Sequence, residues 1–123
     1  MPPWDLTERT RLFALAVIQF CRRLPRIPEA QEAASQLRRA ARSVRANYRA
    51  ARRGRSRAEF QAKLGVSFEE IDEVVDWLVD LRDSCIAHDE ALLKEARELA
   101  AIFAKAVSTA RKNTRRLRKL PRS

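Results

Sequence analysis

The chain has 123 residues, a formal net charge of +10 and a sequence pI of about 10.9. That length gives one domain with a single core and little room for an elaborate active site. Ala, Leu and Arg dominate and there are two glycines, which puts the helical class first. The excess charge concerns partners and solubility rather than fold, and favours a polyanion, RNA or DNA, over an acidic protein or anionic lipid.

Cys21 and Cys85 are isolated thiols outside any CxxC pattern, the usage of a reduced, cytoplasmic protein. "LFALAVIQF" is too short to span a bilayer and contains Gln19. Asp5 and Glu8 precede it and no small-residue cleavage site follows, so neither a membrane span nor a signal peptide is expected.

The first helix is expected from about Leu6 to Arg23, with Asp5 and Glu8 at capping-box spacing and "LPRIP" ending it. Phe13, Val17, Phe20 or Cys21, and Leu24 form its buried stripe. The second helix opens at Pro28 or Glu29 and runs to about Arg53, where Gly54 is expected as a left-handed C′ residue. Ala34, Leu37, Ala41, Val44, Tyr48 and Ala51 are its core positions. Ser56 and Glu59 form a capping box that starts the third helix. Its core is expected at Leu64, Phe68, Ile71, Val75 and Leu78. Val74, Trp77 and Leu81 make a second apolar stripe about 100° away. That wide arc makes this the most buried helix or gives it a face for another subunit. The fourth helix starts at His88 or Asp89, with core residues Leu92, Ala96, Leu99, Phe103, Ala106 and Ala110. After Asn113 the apolar pattern fades, so residues 1–113 are read as the bundle and 114–123 as a basic tail. Four such helices with short connections predict an all-α, up-down-up-down antiparallel four-helix bundle.

Arg38, Arg42, Arg45, Arg49 and Arg52 recur at alternating steps of four and three. Each follows a core position, so this stripe flanks the core-facing line. The plainest use for such a stripe is solubility and pairing at a bundle flank. A hairpin count with the turn near Arg55 tests this: Arg38 falls opposite Asp72 and Glu73, and Arg42 opposite Glu69. Arg45, Arg49 and Arg52 fall opposite Gly65, Gln61 and Ala58, which leaves Glu59 as the one sequence-near acid for the turn end. In an up-down bundle the fourth helix ends at that same end. Arg45, Arg49, Arg52, Arg53, Arg55, Arg57, Arg111, Lys112, Arg115, Arg116, Arg118 and Lys119 are therefore the candidate nucleic-acid-binding set. Arginine greatly outnumbers lysine among them, and its planar fork suits phosphate. Tyr48 is the one aromatic among the arginines of the stripe and reads as core, so sequence-specific stacking is not indicated.

Catalytic and metal sites are not expected. The single histidine, His88, lies in a connection, and no Glu-x-x-His pair or Gly-rich phosphate loop is present. Asp72, Glu73 and Asp76 read as a solvated helix face, and neither cysteine has a base nearby in sequence. No cofactor is implied.

Residues 34–78 carry a resemblance. Gln36-Leu37-Arg38-Arg39-Ala40, Ser43-Val44, Ala46-Asn47-Tyr48 and Ser56-Arg57-Ala58-Glu59-Phe60 resemble the bacterial four-helix-bundle family encoded in intervening sequences of large-subunit ribosomal RNA genes. That family also includes the accessory variability determinant of diversity-generating retroelements. The resemblance implies a homopentamer without catalysis, and its retroelement member binds nucleic acid and a reverse transcriptase. Arg45 stands where the family usually has Gly or Pro, and Ala50-Ala51 replaces an acid followed by a small residue. The expectation is thus a non-enzymatic oligomer, with Val74, Trp77 and Leu81 at its interface. It would bind RNA or DNA through phosphates, and its partners would extend to a reverse transcriptase or another nucleoprotein. The alternative is a protein-interaction scaffold whose charge stripes pair between subunits or with an acidic protein.

Overall fold

The computed structural model describes residues 5–121. It contains four helices: α1 Thr7–Arg22, α2 Pro28–Arg52, α3 Arg57–Asp83 and α4 Glu90–Arg118. Helices adjacent in the chain pack together, α2 against α3 most extensively, and α1 closes the bundle by a small contact with α4. Contacts between distant residues fix the directions. Leu6 meets Tyr48 near the end of α2, Arg39 of α2 meets Glu70 and Glu73 of α3, and Gln61 meets Ala110 and Thr114 near the end of α4. Each helix therefore runs antiparallel to the one before it, the up-down bundle expected from sequence.

The helix starts follow local chemistry. Ser56 Oγ accepts the Glu59 N–H at 3.0 Å, and Asp89 Oδ1 accepts the Leu92 N–H at 2.9 Å; each pairing satisfies a donor the first turn would leave orphaned. Pro28 stands at the first position of α2, where its missing N–H costs nothing. At α1 the acid works one residue early. Asp5 Oδ1 accepts both the Thr7 N–H, at 2.9 Å, and the Thr7 hydroxyl, at 2.6 Å.

The helix ends correct one expectation. Gly54 is not left-handed; among the described residues the one with positive φ is Cys85, at 57°. Cys85 terminates α3, and the N–H groups of Ile86 and Ala87 return to the Leu81 carbonyl at 3.0 and 3.3 Å, a left-handed closure made without glycine. Gly54 is needed for space. A Cβ there would lie 2.9 Å from the Ala51 carbonyl oxygen and 3.4 Å from Phe60 Cβ.

The core runs the length of the bundle. Every expected buried position of α1 and α2 is buried, and α2 adds Ala30, Ala33 and Ala40. These alanines let the neighbouring helices approach closely, so α2 rather than α3 carries the widest buried arc. In α3 the buried line is Leu64, Ser67, Ile71, Val74, Leu78 and Leu81, while Phe68, Val75 and Trp77 are half-buried. Ser67 lies in this line although polar; its hydroxyl donates to the Val44 carbonyl at 3.0 Å, which makes burial affordable. In α4 the line shifts from Ala106 to Val107, and Ala110 is half-buried. Tyr48 and Phe103 meet edge to face across the core, their ring centroids 5.8 Å apart.

The expected break at Asn113 does not end a helix: α4 continues to Arg118. Gln61 explains part of this. Its side-chain amide donates to the Ala110 carbonyl at 2.7 Å and lies 2.5 Å from Thr114 Oγ1, fastening this stretch of α4 to α3. The last two residues of the expected tail lie outside the described residues.

Candidate nucleic-acid interface

Charge is segregated along the chain before folding begins. Between Glu32 and Glu59 every charged side chain is an arginine, and after Glu98 every charged side chain is a cation. The antiparallel fold carries the end of α2 and the end of α4 to one pole, so the two acid-free segments finish together. Arg57, at the start of α3, lines the same groove as Asn113, Arg116 and Lys119 of the α4 end. Arginines in the last turns of α2 and α4 also complement the helix dipoles.

Most of the paired carboxylates sit elsewhere. Arg39 binds Glu70 at 2.9 Å and Glu73 at 2.7 Å, Arg9 binds Glu95 at 2.6 Å and Glu98 at 3.0 Å, and Arg23 approaches Asp89 at 3.6 Å. Hydrogen bonds donated by Arg39 to Glu73 and by Arg9 to Glu95 raise both guanidinium pKa values further. The hairpin count expected Arg38 to face the α3 acids; the more exposed Arg39 does so.

Of the twelve candidate cations, Arg52 has a carboxylate within 4 Å among the described residues: Asp5, at 3.5 Å. Arg45 acts on Glu8 at longer range; that carboxyl is held below its usual range first by its hydrogen bond from Arg11 and then by the charges of Arg11 and Arg45. Glu59 is the one sequence-near acid of the turn end, and the fold adds two distant ones, because the start of α1 delivers Asp5 and Glu8 there. Nothing local announced the Asp5–Arg52 approach across 47 positions. For Arg49, Arg53, Arg55, Arg57, Arg111, Lys112, Arg115, Arg116, Arg118 and Lys119, no carboxylate of the described residues lies within 4 Å.

These cations share a pole but not one face. Arg45 and Arg49 line a groove between α1 and α2 with Arg42, Leu15 and Ile18. Arg111, Lys112 and Arg115 line another beside Phe68 and Val107. Arg57, Arg116 and Lys119 border a third with Asn113, Leu117 and Leu120. Arg111 and Asn113 are about 200° apart on α4, so the last two grooves flank opposite sides of the seam that Gln61 and Ala110 mark.

A clasp of hydrogen bonds orients the start of α1 at this pole. Tyr48 Oη accepts the Leu6 N–H at 2.9 Å and donates to Asp5 Oδ1 at 3.4 Å. The Thr7 hydroxyl and N–H hold the Asp5 carboxyl below its ordinary range against the opposing effect of burial, and Arg52 and Tyr48 add to the lowering. Burial pushes the Tyr48 phenol up.

The expected subunit interface fares differently. Val74 and Leu81 are fully buried within the single chain, so they have no area to offer a partner; the half-buried Trp77 packs against the core with part of its surface free. Exposed apolar side chains lie instead at Leu12 and Leu15 of α1, and at Phe60, Leu117 and Leu120 of the basic pole. Cys21 is buried near the Ala34 carbonyl, with its thiol pushed up by burial, and Cys85 is exposed. Among the described residues, no three His, Cys, Asp or Glu side chains converge as a metal site would require, and no helix is long and apolar enough to cross a membrane.

A family model described as 23S rRNA-intervening sequence protein matches residues 4–115. The chain belongs to that family. The match to the 23S rRNA-intervening sequence protein family spans all four helices and ends inside α4, so Arg116, Arg118 and Lys119 lie past the matched residues. Neither the curated proteins nor the solved structures yielded a match.

Proposed function

We propose that this chain is a non-enzymatic, cytoplasmic accessory protein that assembles as a homo-oligomer, a pentamer by family resemblance, and holds RNA through the phosphates gathered by its basic pole. The observation that carries the reading is the concentration of arginines and lysines there which, Arg52 apart, have no carboxylate within 4 Å among the described residues. Two acid-free segments meeting at one pole exceed what solubility needs, which supports a polyanionic partner. Assembly into a ring would multiply weak phosphate contacts by raising effective concentration. A reverse transcriptase or another nucleoprotein would then be recruited through the same RNA. The charges lie on several grooves around one pole, so binding is expected to depend steeply on salt and weakly on sequence.

The test is reversal of Arg53, Arg55 and Arg57 to Glu together, sparing Arg52 because it supports Asp5. Binding of a single-stranded RNA, followed by fluorescence anisotropy, is expected to weaken about 100-fold or more, with the salt slope shallower by about two. Light scattering is expected to find the oligomer unchanged. Unaltered RNA affinity would sink the proposal. Loss of the oligomer would instead favour the protein-interaction scaffold with charge stripes paired between subunits, a reading to which the exposed Leu12 and Leu15 of α1 lend a surface.

A further inference from the structure

The arginine stripe lacks an exposed aromatic, yet the fold supplies one at its pole. Phe60, on the first turn of α3, is 36% exposed. Its Cβ stands against the backbone of Gly54, where an added Cβ would be only 3.4 Å away, so the bend fixes where the ring begins. Phe60 lines an open groove of about 380 Å³ with Arg57, Gln61, Ala110 and Asn113. Past Arg57 and Asn113 the groove continues between Arg116, Lys119, Leu117 and Leu120, the two leucines being 44% and 59% exposed. The Gln61 amide is committed to α4. The exposed Asn113 amide makes no hydrogen bond among the described residues.

We infer that this groove is a subsite for an unpaired nucleotide of an RNA strand, with the base stacked on Phe60, its edge met by Asn113, and flanking phosphates held by Arg57, Arg116 and Lys119. The inference rests on the phosphate-holding reading above and adds to it a preference for single strands. Every base has a π-face, so one aromatic platform beside cations binds unpaired bases with little regard to sequence. A carboxamide offers both a donor and an acceptor to a base edge. Bases within an A-form duplex are already stacked and cannot reach such a groove. A lipid surface would also accept apolar side chains among cations. It has no use for a free amide at the centre of the groove.

The experiment compares the full chain with Phe60→Ala, Phe60→Trp and Phe60→Leu on an unstructured RNA 12-mer, the DNA 12-mer of the same sequence, a blunt RNA duplex and anionic vesicles. Phe60→Ala is expected to weaken single-stranded RNA binding by about five- to 100-fold, the range carried by one base–aromatic stack. Duplex binding and the salt slope are expected to stay as they were. Phe60→Trp should retain the affinity and Phe60→Leu should lose it, because the ring face rather than apolar bulk is what binds. Single-stranded RNA affinity unchanged in Phe60→Ala, while the triple charge reversal abolishes binding, overturns the subsite and leaves the proposed function standing. If the triple reversal also changes nothing, both fail. A Phe60→Ala defect confined to vesicles, or larger on DNA than on RNA, overturns the RNA assignment. Should Phe60→Ala not fold, 4-thiouridine crosslinking on the unmodified chain decides: an adduct at Phe60 is expected, and its absence from Phe60 and Asn113 overturns the inference.

Discussion

Away from the α2–α3 turn, arginines and carboxylates meet: Arg39 with Glu70 and Glu73, Arg9 with Glu95 and Glu98, Arg23 with Asp89, Arg82 with Asp83. At that turn Arg53, Arg55 and Arg57 and the cations of the α4 end have no carboxylate within 4 Å among the described residues. The two poles share one fold and one dominant cation, and they differ in where acids stop along the chain. Antiparallel helices return every second chain segment to the same end, so acids omitted after Glu32 and again after Glu98 leave a single pole largely uncompensated. Polarity here is a property of helix parity rather than of any motif. The contrast extends to what holds each end together. Near the basic pole the ties are mainly hydrogen bonds to or from uncharged side chains: the Leu6 N–H to Tyr48, and the Gln61 amide to Ala110 and Thr114. Such ties cohere without consuming the positive charge.

Removing those ties should therefore loosen one pole and spare the other. Tyr48→Phe keeps the ring that meets Phe103 and deletes the oxygen that accepts the buried Leu6 N–H. An orphaned buried donor costs about 1–3 kcal/mol. Urea denaturation should show that loss as a lower midpoint with an unchanged slope, and hydrogen exchange should locate it at the start of α1. A loss spread evenly over all four helices would contradict the contrast between poles.

Gln61→Ala is smaller and more local. It removes the tie between α3 and the Ala110–Thr114 stretch of α4 at a net cost of about 1 kcal/mol. Amide exchange in the last turns of α4 should accelerate while the α3–α4 turn is unaffected. Because those turns carry Arg111, Lys112, Arg115 and Arg116, RNA affinity should fall modestly although no charge has changed.

The α2–α3 and α3–α4 turns offer a paired substitution of opposite sign. Cys85→Gly relieves a left-handed residue at φ 57°, worth about 1 kcal/mol before the entropy a glycine adds to the unfolded chain is subtracted. A gain of about 0.5 kcal/mol is expected. Gly54→Ala forces a Cβ to within 2.9 Å of the Ala51 carbonyl and should lose about as much or more. Thermal midpoints that move in the same direction for both would show that the turns are not built as described.

Much of this was legible in the sequence, and the gaps have physical causes. Three–four periodicity and the Ser56–Glu59 and Pro28 signals located the helices, because those signals act within one or two turns. The choice between Val75 and Val74, or Ala106 and Val107, needed the neighbouring helix: one residue is about 100° of rotation, and a wide apolar arc does not say which part faces inward. Ser67 was missed because burial of a hydroxyl depends on an acceptor, Val44, 23 residues away. The basic pole was visible from charge counting plus topology. Its partial neutralisation by Asp5 was not, since that acid arrives from a different helix. Phe60 enters the sequence reading only within the stretch that carries the family resemblance; its exposure beside Asn113 needed the α3–α4 seam.

Asp5 itself supplies the smallest effect and the sharpest test of that neutralisation. Its carboxyl is held below the ordinary 3.8 by the Thr7 hydroxyl and N–H first, with Arg52 and Tyr48 assisting against burial. A carboxylate whose folded pKa is depressed contributes stability that is fully present above its unfolded pKa. That contribution is lost as pH falls through the lower folded value. Wild type and Asp5→Asn should therefore differ in urea midpoint at about pH 7, hold that difference down to the ordinary carboxylate range, and converge only below it. The Thr7 bonds are short-range and part of the pairing is shielded by the protein, so salt should narrow the gap less than it weakens RNA binding. A gap that persisted to the lowest pH would mean that Asp5 serves α1 by its shape alone. Its negative charge would still stand 3.5 Å from Arg52 at neutral pH, but would add nothing measurable to the stability of the fold.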